Sequence, residues 1–180
     1  MRLSGTKILL TGANGGLGRA IAAKAQAEGA VLALCEKTQE LADAAKAALP
    51  DNANAIALAG ELTDEAAVTE MVATAIEQMG GLNGVVNNAA MLGDDDGMPA
   101  DTSLATWQAT LDTNLTGAFL VYKAALPHLI KQQSGSLVSM SSVVAHSASA
   151  VPQIAYTTSK GALEAMTREI AMAHARDNIR

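Results

Sequence analysis

Short apolar segments alternate along the chain with longer stretches in which apolar residues recur every three or four positions. A short apolar run bounded by Gly, Asn, Thr or Ser is typical of a buried parallel strand, and the longer pattern is typical of an amphipathic helix. Strands are predicted at Lys7–Thr11, Val31–Cys35, Ala55–Ala59, Gly84–Asn87 and Ser136–Met140. The alternation predicts repeated βα units and therefore an α/β fold with a doubly wound parallel sheet.

Five helices are predicted between and after these strands, at Leu17–Glu28, Gln39–Leu49, Asp64–Met79, Ser103–Lys131 and Pro152–Ala175. The fourth has the most regular apolar stripe, which runs from Leu104 to Leu129. Pro127 lies inside this stripe and predicts a kink or an early end, because proline removes a helical hydrogen bond. Pro152 suits the first turn of the last helix, where a missing N–H costs little.

Composition limits the class of protein. With 180 residues, 49% of them hydrophobic and 17% charged, the chain predicts one folded domain and excludes a disordered tail. No apolar run approaches the roughly 18 residues of a membrane span. The apolar run before Thr11 is too short for a signal peptide, so we expect a cytoplasmic protein. The single cysteine, Cys35, fits a reducing compartment and is expected in the core.

Charge and polar clusters argue against nucleic-acid, anionic-membrane and metal binding. The net charge is −6, whereas nucleic acids and anionic membranes attract basic surfaces. Asp94, Asp95 and Asp96 together offer three carboxylates to a divalent cation, but consecutive loop positions rarely converge on one ion, so a solvated loop is favoured. The three histidines have no metal-ligand spacing. His146 follows the fifth strand closely enough to line a pocket.

A glycine-rich turn separates the first strand from the first helix, with the sequence Thr-Gly-Ala-Asn-Gly-Gly-Leu-Gly over residues 11–18. Such a turn bends tightly, lets a pyrophosphate approach the backbone, and lets the helix pack close to the sheet. The free N–H groups of the helix would hold the pyrophosphate. The predicted cofactor-binding residues of the turn are Gly12, Asn14, Gly16, Leu17 and Gly18. An ordinary strand-to-helix turn is the alternative.

Glu36 follows the second strand about twenty residues after the glycine turn. A carboxylate at this place accepts hydrogen bonds from both hydroxyls of an adenosine ribose and repels a 2′-phosphate, which favours NAD(H). Lys37 is adjacent and leaves NADP(H) possible, because a cation there can meet a phosphate. A solvated surface glutamate is the other interpretation.

Tyr156 and Lys160 are four residues apart in the last predicted helix, so they lie on the same helical face. A phenol with its ordinary pKa near 10 is a poor base, and a neighbouring cation stabilises its ionised form. Ser141 and Ser142 follow the fifth strand. Ligands bind beyond the carboxyl ends of parallel strands, so the serines and Tyr156 are expected at one crevice.

Together these residues resemble the short-chain dehydrogenase/reductase family. The turn at residues 11–18 matches its TGxxxGxG motif, and Asn87-Asn88-Ala89-Ala90 matches NNAG. Asn114, Ser142 and the Tyr156/Lys160 pair follow in the family's order. Among family members, the resemblance is nearest to bacterial proteins that include the 3-oxoacyl-carrier-protein reductases.

The resemblance implies a catalytic role for four residues. Tyr156 would be the general acid/base, while Lys160 would support its ionisation and hold the nicotinamide ribose. Ser142 would hydrogen-bond the substrate oxygen, with Ser141 as the less favoured choice. Asn114 would support a water that links Lys160 to solvent.

The family also implies further cofactor contacts. Asn88 would line the cofactor cleft and brace the sheet. Glu61 and Leu62 would lie at the adenine ring, although the family usually has Asp in the first place. Ala90 replaces the glycine of NNAG, which is a mild departure.

The resemblance implies a Rossmann-like sheet of order 3-2-1-4-5 with helices on both faces. The 180 residues match about the first two thirds of the family's domain, so the family's C-terminal strands and substrate loop are missing. We therefore expect a longer native chain, an uncovered edge at the fifth strand and fraying of Ala175–Arg180.

The sequence thus predicts hydride transfer between a nicotinamide cofactor and a small carbonyl compound or secondary alcohol. A nucleotide-binding module, or a truncated fragment without turnover, is the alternative. The resemblance implies a homodimer or homotetramer packed through the fourth and fifth predicted helices. Five residues would form a partly apolar substrate pocket: Leu92, Val143, Val144, His146 and Ile154.

Overall fold

The computed structural model describes all 180 residues. Its parallel sheet has five strands in the predicted order, β3-β2-β1-β4-β5. The strands are β1 (Lys7–Thr11), β2 (Val31–Glu36), β3 (Ala55–Ala59), β4 (Gly84–Asn87) and β5 (Ser136–Ser139). The predicted fold class is confirmed, and the strand ends differ from the prediction by one residue at β2 and β5.

The helices are α1 (Gly16–Ala27), α2 (Gln39–Ala47), α3 (Glu65–Met79), α4 (Leu104–Leu111), α5 (Gly117–Gln132) and α6 (Ile154–Ala173). Short side chains cap three of them, because Thr38, Asp64 and Ser103 each accept a hydrogen bond from a free N–H of the first turn. None of the helices is long and apolar enough to cross a membrane.

The two faces of the sheet bury separate apolar clusters because successive strand residues point to opposite sides. Leu9 of β1 packs in a cluster with residues of α3 and α5, such as Val72 and Val121. Leu10, the next residue, packs in the cluster that contains Ala22 of α1 and Ala45 of α2. Cys35 is buried in the first cluster, as predicted, and burial raises its thiol pKa.

The fourth predicted helix is interrupted. Between α4 and α5 lies one π-helical segment, Asp112–Thr116, in which the Gly117 N–H donates to the Asp112 carbonyl. The prediction of one regular helix is therefore wrong at this point. Pro127 does not end α5, because its ring lies on the exposed face, where water can bond the carbonyl left without its helical donor.

Pro152 lies outside α6, whose N-cap is Gln153, so the predicted place for this proline is also wrong.

The last residues do not fray as expected. Residues Ala175–Asp177 form a 3₁₀ turn, and Ile179 is buried and pairs in parallel with Gly135. The Leu137 N–H donates to the Arg180 carbonyl at 2.7 Å. Main-chain hydrogen bonds thus cover the start of the β5 edge, which the sequence predicted to be open.

Candidate functional site

The glycine turn connects β1 to α1 and leaves the first turn of α1 open. Gly12 has φ +63°, and a Cβ there would lie 2.7 Å from the Ala89 Cα. A Cβ on Gly18 would lie 2.0 Å from the Gly12 carbonyl oxygen. Both positions therefore need glycine, the first for its left-handed backbone and both for close approach. The turn brings the N-terminus of α1 to the carboxyl edge of the sheet.

Asn88 braces this turn against the end of β4. Its Nδ2 donates to the carbonyl oxygens of Gly12 at 2.9 Å and Thr11 at 3.2 Å. The Thr11 hydroxyl accepts in turn from the Asn88 N–H at 3.1 Å. These bonds cross between β1 and β4, so the bracing contact expected of Asn88 is present.

Glu36 and Lys37 lie beside the turn at the end of β2. The Glu36 carboxylate accepts a hydrogen bond of 2.6 Å from the Asn14 N–H. The Lys37 ammonium lies 3.0 Å from the Glu61 carboxylate. Burial raises the pKa of Glu61, but the hydrogen bonds from Lys37 and Thr63 outweigh burial and hold that pKa below its usual value. Lys37 is thus ion-paired, and the local charge is negative.

Tyr156 and Lys160 lie on one face of α6, and the Lys160 Nζ is 5.5 Å from the centroid of the Tyr156 ring. The ammonium is buried and donates to the Met140 carbonyl, at the end of β5, at 2.7 Å. Burial lowers the pKa of Lys160 from its ordinary value. The cation is therefore held between the fifth strand and the phenol.

Asn114 is buried in the π-helical segment, and its side chain is occupied by protein groups. Its Oδ1 accepts from the Met91 N–H at 2.8 Å, and its Nδ2 donates to the Met91 carbonyl at 2.9 Å and the Ser159 hydroxyl at 3.0 Å. The Ser159 hydroxyl donates to the Tyr156 carbonyl at 2.7 Å. Asn114 thus joins the chain after β4 to α6. Its predicted link to a water stays a prediction.

The two serines after β5 have different surroundings. Ser141 lines the cavity described next and donates a hydrogen bond to the Glu164 carboxylate, which also lies 3.0 Å from His146 Nε2. Ser142 accepts from the Val144 N–H and is not among the lining residues. Glu164 was not predicted as a site residue, although its place one turn after Lys160 on α6 was a usable signal.

These groups surround one cavity of about 570 Å³ at the carboxyl edge of the sheet. Its lining includes ten residues predicted to bind a cofactor: Gly12, Gly16, Leu17, Gly18, Glu36, Glu61, Leu62, Asn88, Tyr156 and Lys160. Asn14 is not among the lining residues, but its N–H donates to the Glu36 carboxylate, which lines the cavity. Cys35 also lines the cavity. The sequence did not predict Met91, Thr113 or Met140, which also line the cavity.

The residues predicted to form a substrate pocket do not line this cavity. Leu92, Val143 and His146 are exposed, while Val144 is half-buried. Ile154 lies instead in a separate groove of about 490 Å³ between α4 and α6, opposite Trp107. The structure therefore does not place these residues in one pocket. Val143–Ala145 form a 3₁₀ turn after β5 in which Val143 is exposed.

The acidic loop is not simply solvated. The Asp95 carboxylate accepts a hydrogen bond from the Thr106 hydroxyl, and this bond lowers the Asp95 pKa. Asp96 is half-buried and accepts from the N–H groups of Ala155 and Tyr156, both at 2.9 Å. Two of the three carboxylates thus bond the starts of helices. Asp94 and Asp95 are exposed, as expected of a solvated loop, whereas Asp96 is half-buried, so the prediction was wrong for Asp96 alone.

The cavity fits a dinucleotide. A Cβ on Gly16 would meet nothing within 4 Å, so the open N-terminus of α1 has room for a phosphate group. Glu36 lines the cavity at the end of β2, with a carboxylate that suits ribose hydroxyls. Lys160 and Tyr156 line it on the side of β5, where Lys160 bonds Met140, and the sheet order separates β2 from β5 by two strands. The volume also falls within the roughly 300–1,000 Å³ range of ligand pockets.

Comparison with known proteins gives the same family as the motifs. The family model described as short chain dehydrogenase matches residues 6–180. The 2-(S)-hydroxypropyl-CoM dehydrogenase 3 of Xanthobacter autotrophicus is 36% identical over 172 residues, covering 94% of this chain and 66% of that protein. A relative from the same organism, named inactive 2-(S)-hydroxypropyl-CoM dehydrogenase 2, is 35% identical over 84% of this chain and 64% of its own length.

A solved structure described as NAD⁺-bound xylitol dehydrogenase superposes with a TM-score of 0.94 and 31% identity, covering all of this chain and 69% of that one. The chain thus spans about two thirds of the length of the proteins it resembles. None of these three proteins is named a 3-oxoacyl-carrier-protein reductase. The predicted resemblance to the bacterial family members that include those reductases therefore stays a prediction.

Proposed function

This chain belongs to the short-chain dehydrogenase family, whose members bind nicotinamide cofactors. We propose that it is part of an enzyme that transfers hydride between such a cofactor and a small carbonyl compound or secondary alcohol. The observation that carries the proposal is the placement of Tyr156 and Lys160 in the same cavity as the open N-terminus of α1. The bound cofactor supplies the hydride.

The chain's own part in the reaction is to bind, orient and move a proton. The Tyr156 phenol gives a proton to the substrate oxygen during reduction and takes one from the alcohol during oxidation. The Lys160 ammonium stabilises the ionised phenol and holds the nicotinamide ribose. Its anchorage on the Met140 carbonyl fixes the cation at the carboxyl end of β5. The family resemblance assigns the substrate oxygen to Ser142, which lies directly after the cavity-lining Ser141 and does not itself line the cavity. The bond between Ser141 and Glu164 supports this segment.

The expected cofactor is NAD(H) in preference to NADP(H). The Glu36 carboxylate is fixed by the Asn14 N–H beside the cavity, where a 2′-phosphate would meet like charge. Lys37 cannot offset this repulsion fully, because Glu61 already pairs with its ammonium. The NAD⁺-bound relative supports the same choice.

The proposed partners are a small-molecule substrate and further copies of the chain, in a homodimer or homotetramer. Support comes from exposed apolar side chains on the helices expected at the interface: Leu104 of α4, Phe119 of α5 and Met172 of α6 are 79%, 48% and 79% exposed. Light scattering of the full-length protein after size exclusion tests the assembly, and a monomeric mass contradicts it.

Replacement of Tyr156 by Phe tests the proposed reaction. The change removes the exchangeable proton alone, so turnover should fall by about 10²-fold or more while cofactor affinity changes little. Turnover is measured in the full-length protein as formation or loss of the reduced nicotinamide, over a panel of secondary alcohols and ketones. Cofactor affinity is measured by calorimetry.

Tyr122→Phe is the matched control. It removes a phenol that is buried and bonded to the Ser139 hydroxyl at 2.6 Å, away from the cavity. This variant should lose about 1 kcal/mol of stability and keep its turnover. A Tyr156→Phe protein that keeps more than about a tenth of the parent rate contradicts the role of Tyr156. A parent protein that binds the cofactor but turns over no member of the panel supports the nucleotide-binding module instead.

A further inference from the structure

The helix that carries Tyr156 begins without a cap from its own segment. Its N-cap residue, Gln153, makes no side-chain hydrogen bond to the first turn, and Pro152 precedes it. The first N–H groups of a helix have no partner within the helix, so an uncapped start leaves them to water. In α6 this start lies within two residues of Tyr156, which makes the order of the first turn important for the phenol.

The acidic loop supplies the missing cap from about sixty residues earlier in the chain. The two oxygens of Asp96 accept separately, Oδ1 from the Ala155 N–H and Oδ2 from the Tyr156 N–H, each at 2.9 Å. The Gly97 carbonyl accepts from the Ile154 N–H at 3.1 Å. Three successive N–H groups of α6 are thus bonded by two adjacent residues. A carboxylate is also the favoured partner for the positive end of a helix.

The loop that carries Asp96 is itself fixed to its surroundings. The Asp96 N–H donates to the Gly93 carbonyl at 3.1 Å, and the Gly97 N–H donates to the Thr102 hydroxyl at 2.8 Å. The neighbouring Asp95 bonds Thr106 in the first turn of α4. On the other side, Met91 is bonded by Asn114 through both its N–H and its carbonyl. A fixed loop can hold α6, whereas a mobile loop could not.

We propose that Asp96 is a positioning residue for the reaction, which fixes the first turn of α6 so that the Tyr156 phenol stands at the cavity. The inference rests on the proposed function of Tyr156. Asp96 touches the main chain of Tyr156 and not the reacting atoms. Because a displacement of about 1 Å at a reacting group can cost about 10²-fold in rate, loss of this cap acts on turnover more than on cofactor binding.

The variants Asp96→Ala and Asp96→Asn test the inference, with Asp94→Ala and Asp94→Asn as matched controls, because Asp94 is exposed in the same loop. In the full-length protein, Asp96→Ala should lower kcat by about 10-fold or more, with the cofactor dissociation constant within about twofold of the parent. Asp96→Asn keeps one acceptor oxygen and should restore part of the rate. Both Asp94 variants should match the parent.

Hydrogen exchange of the main-chain amides gives a second readout that does not depend on turnover. The Ala155 and Tyr156 amides should exchange about fivefold faster in Asp96→Ala, which corresponds to loss of a helix cap of about 1 kcal/mol. Unchanged exchange at these amides overturns the inference whether or not the protein has activity. A kcat within twofold of the Asp94 controls, with only a lower melting temperature, overturns it as well and leaves Asp96 a stabilising residue.

The two readouts also separate this inference from the proposed function. If the parent protein shows no turnover but the Tyr156 amide exchanges faster in Asp96→Ala than in the parent, the proposed reaction is refuted and the role of Asp96 as the cap of α6 stands. If Asp96→Ala fails to fold, the same measurements on Asp96→Asn decide, because that variant loses one of two acceptor atoms.

Discussion

Gly18→Ala should break the packing of α1 against the glycine turn and destabilise the whole fold. The added methyl carbon would lie 2.0 Å from the Gly12 carbonyl oxygen and 2.9 Å from the carbonyl carbon of Ala13. Both contacts are with main chain, which cannot turn aside as a flexible side chain can. The carbonyl would have to move by about 1 Å to restore an ordinary contact, and that oxygen accepts the hydrogen bond from Asn88.

The magnitude follows from these two effects. Overpacking of a well-packed region costs about 1–3 kcal/mol, and loss of the bond between Asn88 and Gly12 adds about 1 kcal/mol. We therefore expect a loss of about 2–4 kcal/mol, a large fraction of the roughly 5–15 kcal/mol that stabilises a typical domain. Urea unfolding followed by circular dichroism, with the midpoint and slope fitted together, measures this difference.

Gly16→Ala is the matched control, because a Cβ there meets nothing within 4 Å. It should leave the free energy of unfolding equal to that of the parent, or raise it by up to about 1 kcal/mol through the better helix propensity of alanine. The same methyl group enters the side of the cavity proposed for the pyrophosphate, so cofactor affinity should fall. If the free energies of unfolding of Gly18→Ala and Gly16→Ala differ by less than about 0.5 kcal/mol, the close approach of Gly18 to the Gly12 carbonyl is wrong.

Three further outcomes are expected. Lys160→Ala should lower both turnover and cofactor affinity, measured by steady-state kinetics and calorimetry, and an unchanged cofactor affinity would remove the ribose contact from the proposal. Glu36→Gln should reduce the preference for NAD(H) over NADP(H) by about tenfold, since like charge is removed, whereas the exposed Glu40→Gln should leave that ratio as in the parent. Hydrogen bonds from the Arg2 N–H, the Arg2 guanidinium and Lys24 lower the pKa of Glu28 to about 2 from 4.5. The ionised carboxylate stabilises the fold at pH values above its unfolded pKa of 4.5, and this contribution is lost as the pH falls through about 2. The difference in urea midpoint between the parent and Glu28→Gln should therefore shrink steadily on acidification from about pH 5. A difference that stays constant over this range would exclude the effect.

Local patterns in the sequence were enough to locate the strands and the glycine turn that borders the cavity. The five strands and the glycine turn follow from short-range rules of period, turn chemistry and spacing, whereas the order of the strands in the sheet came from the family resemblance. The shared face of Tyr156 and Lys160 follows from the helical repeat alone. The family motifs gave the rest of the proposed catalytic set, because their order along the chain is part of the pattern.

Only the tertiary structure decided which groups of distant segments meet. Asp96 caps α6 across about sixty residues, and Asn114 bonds Ser159 across 45. The partners Lys37–Glu61 and Ser141–Glu164 likewise join separate elements. No local rule gives these pairs, because periodicity relates a residue to neighbours three or four positions away. The same limit explains the acidic loop: the three aspartates are alike in sequence, and their different roles arise from the helix starts that the fold places beside them.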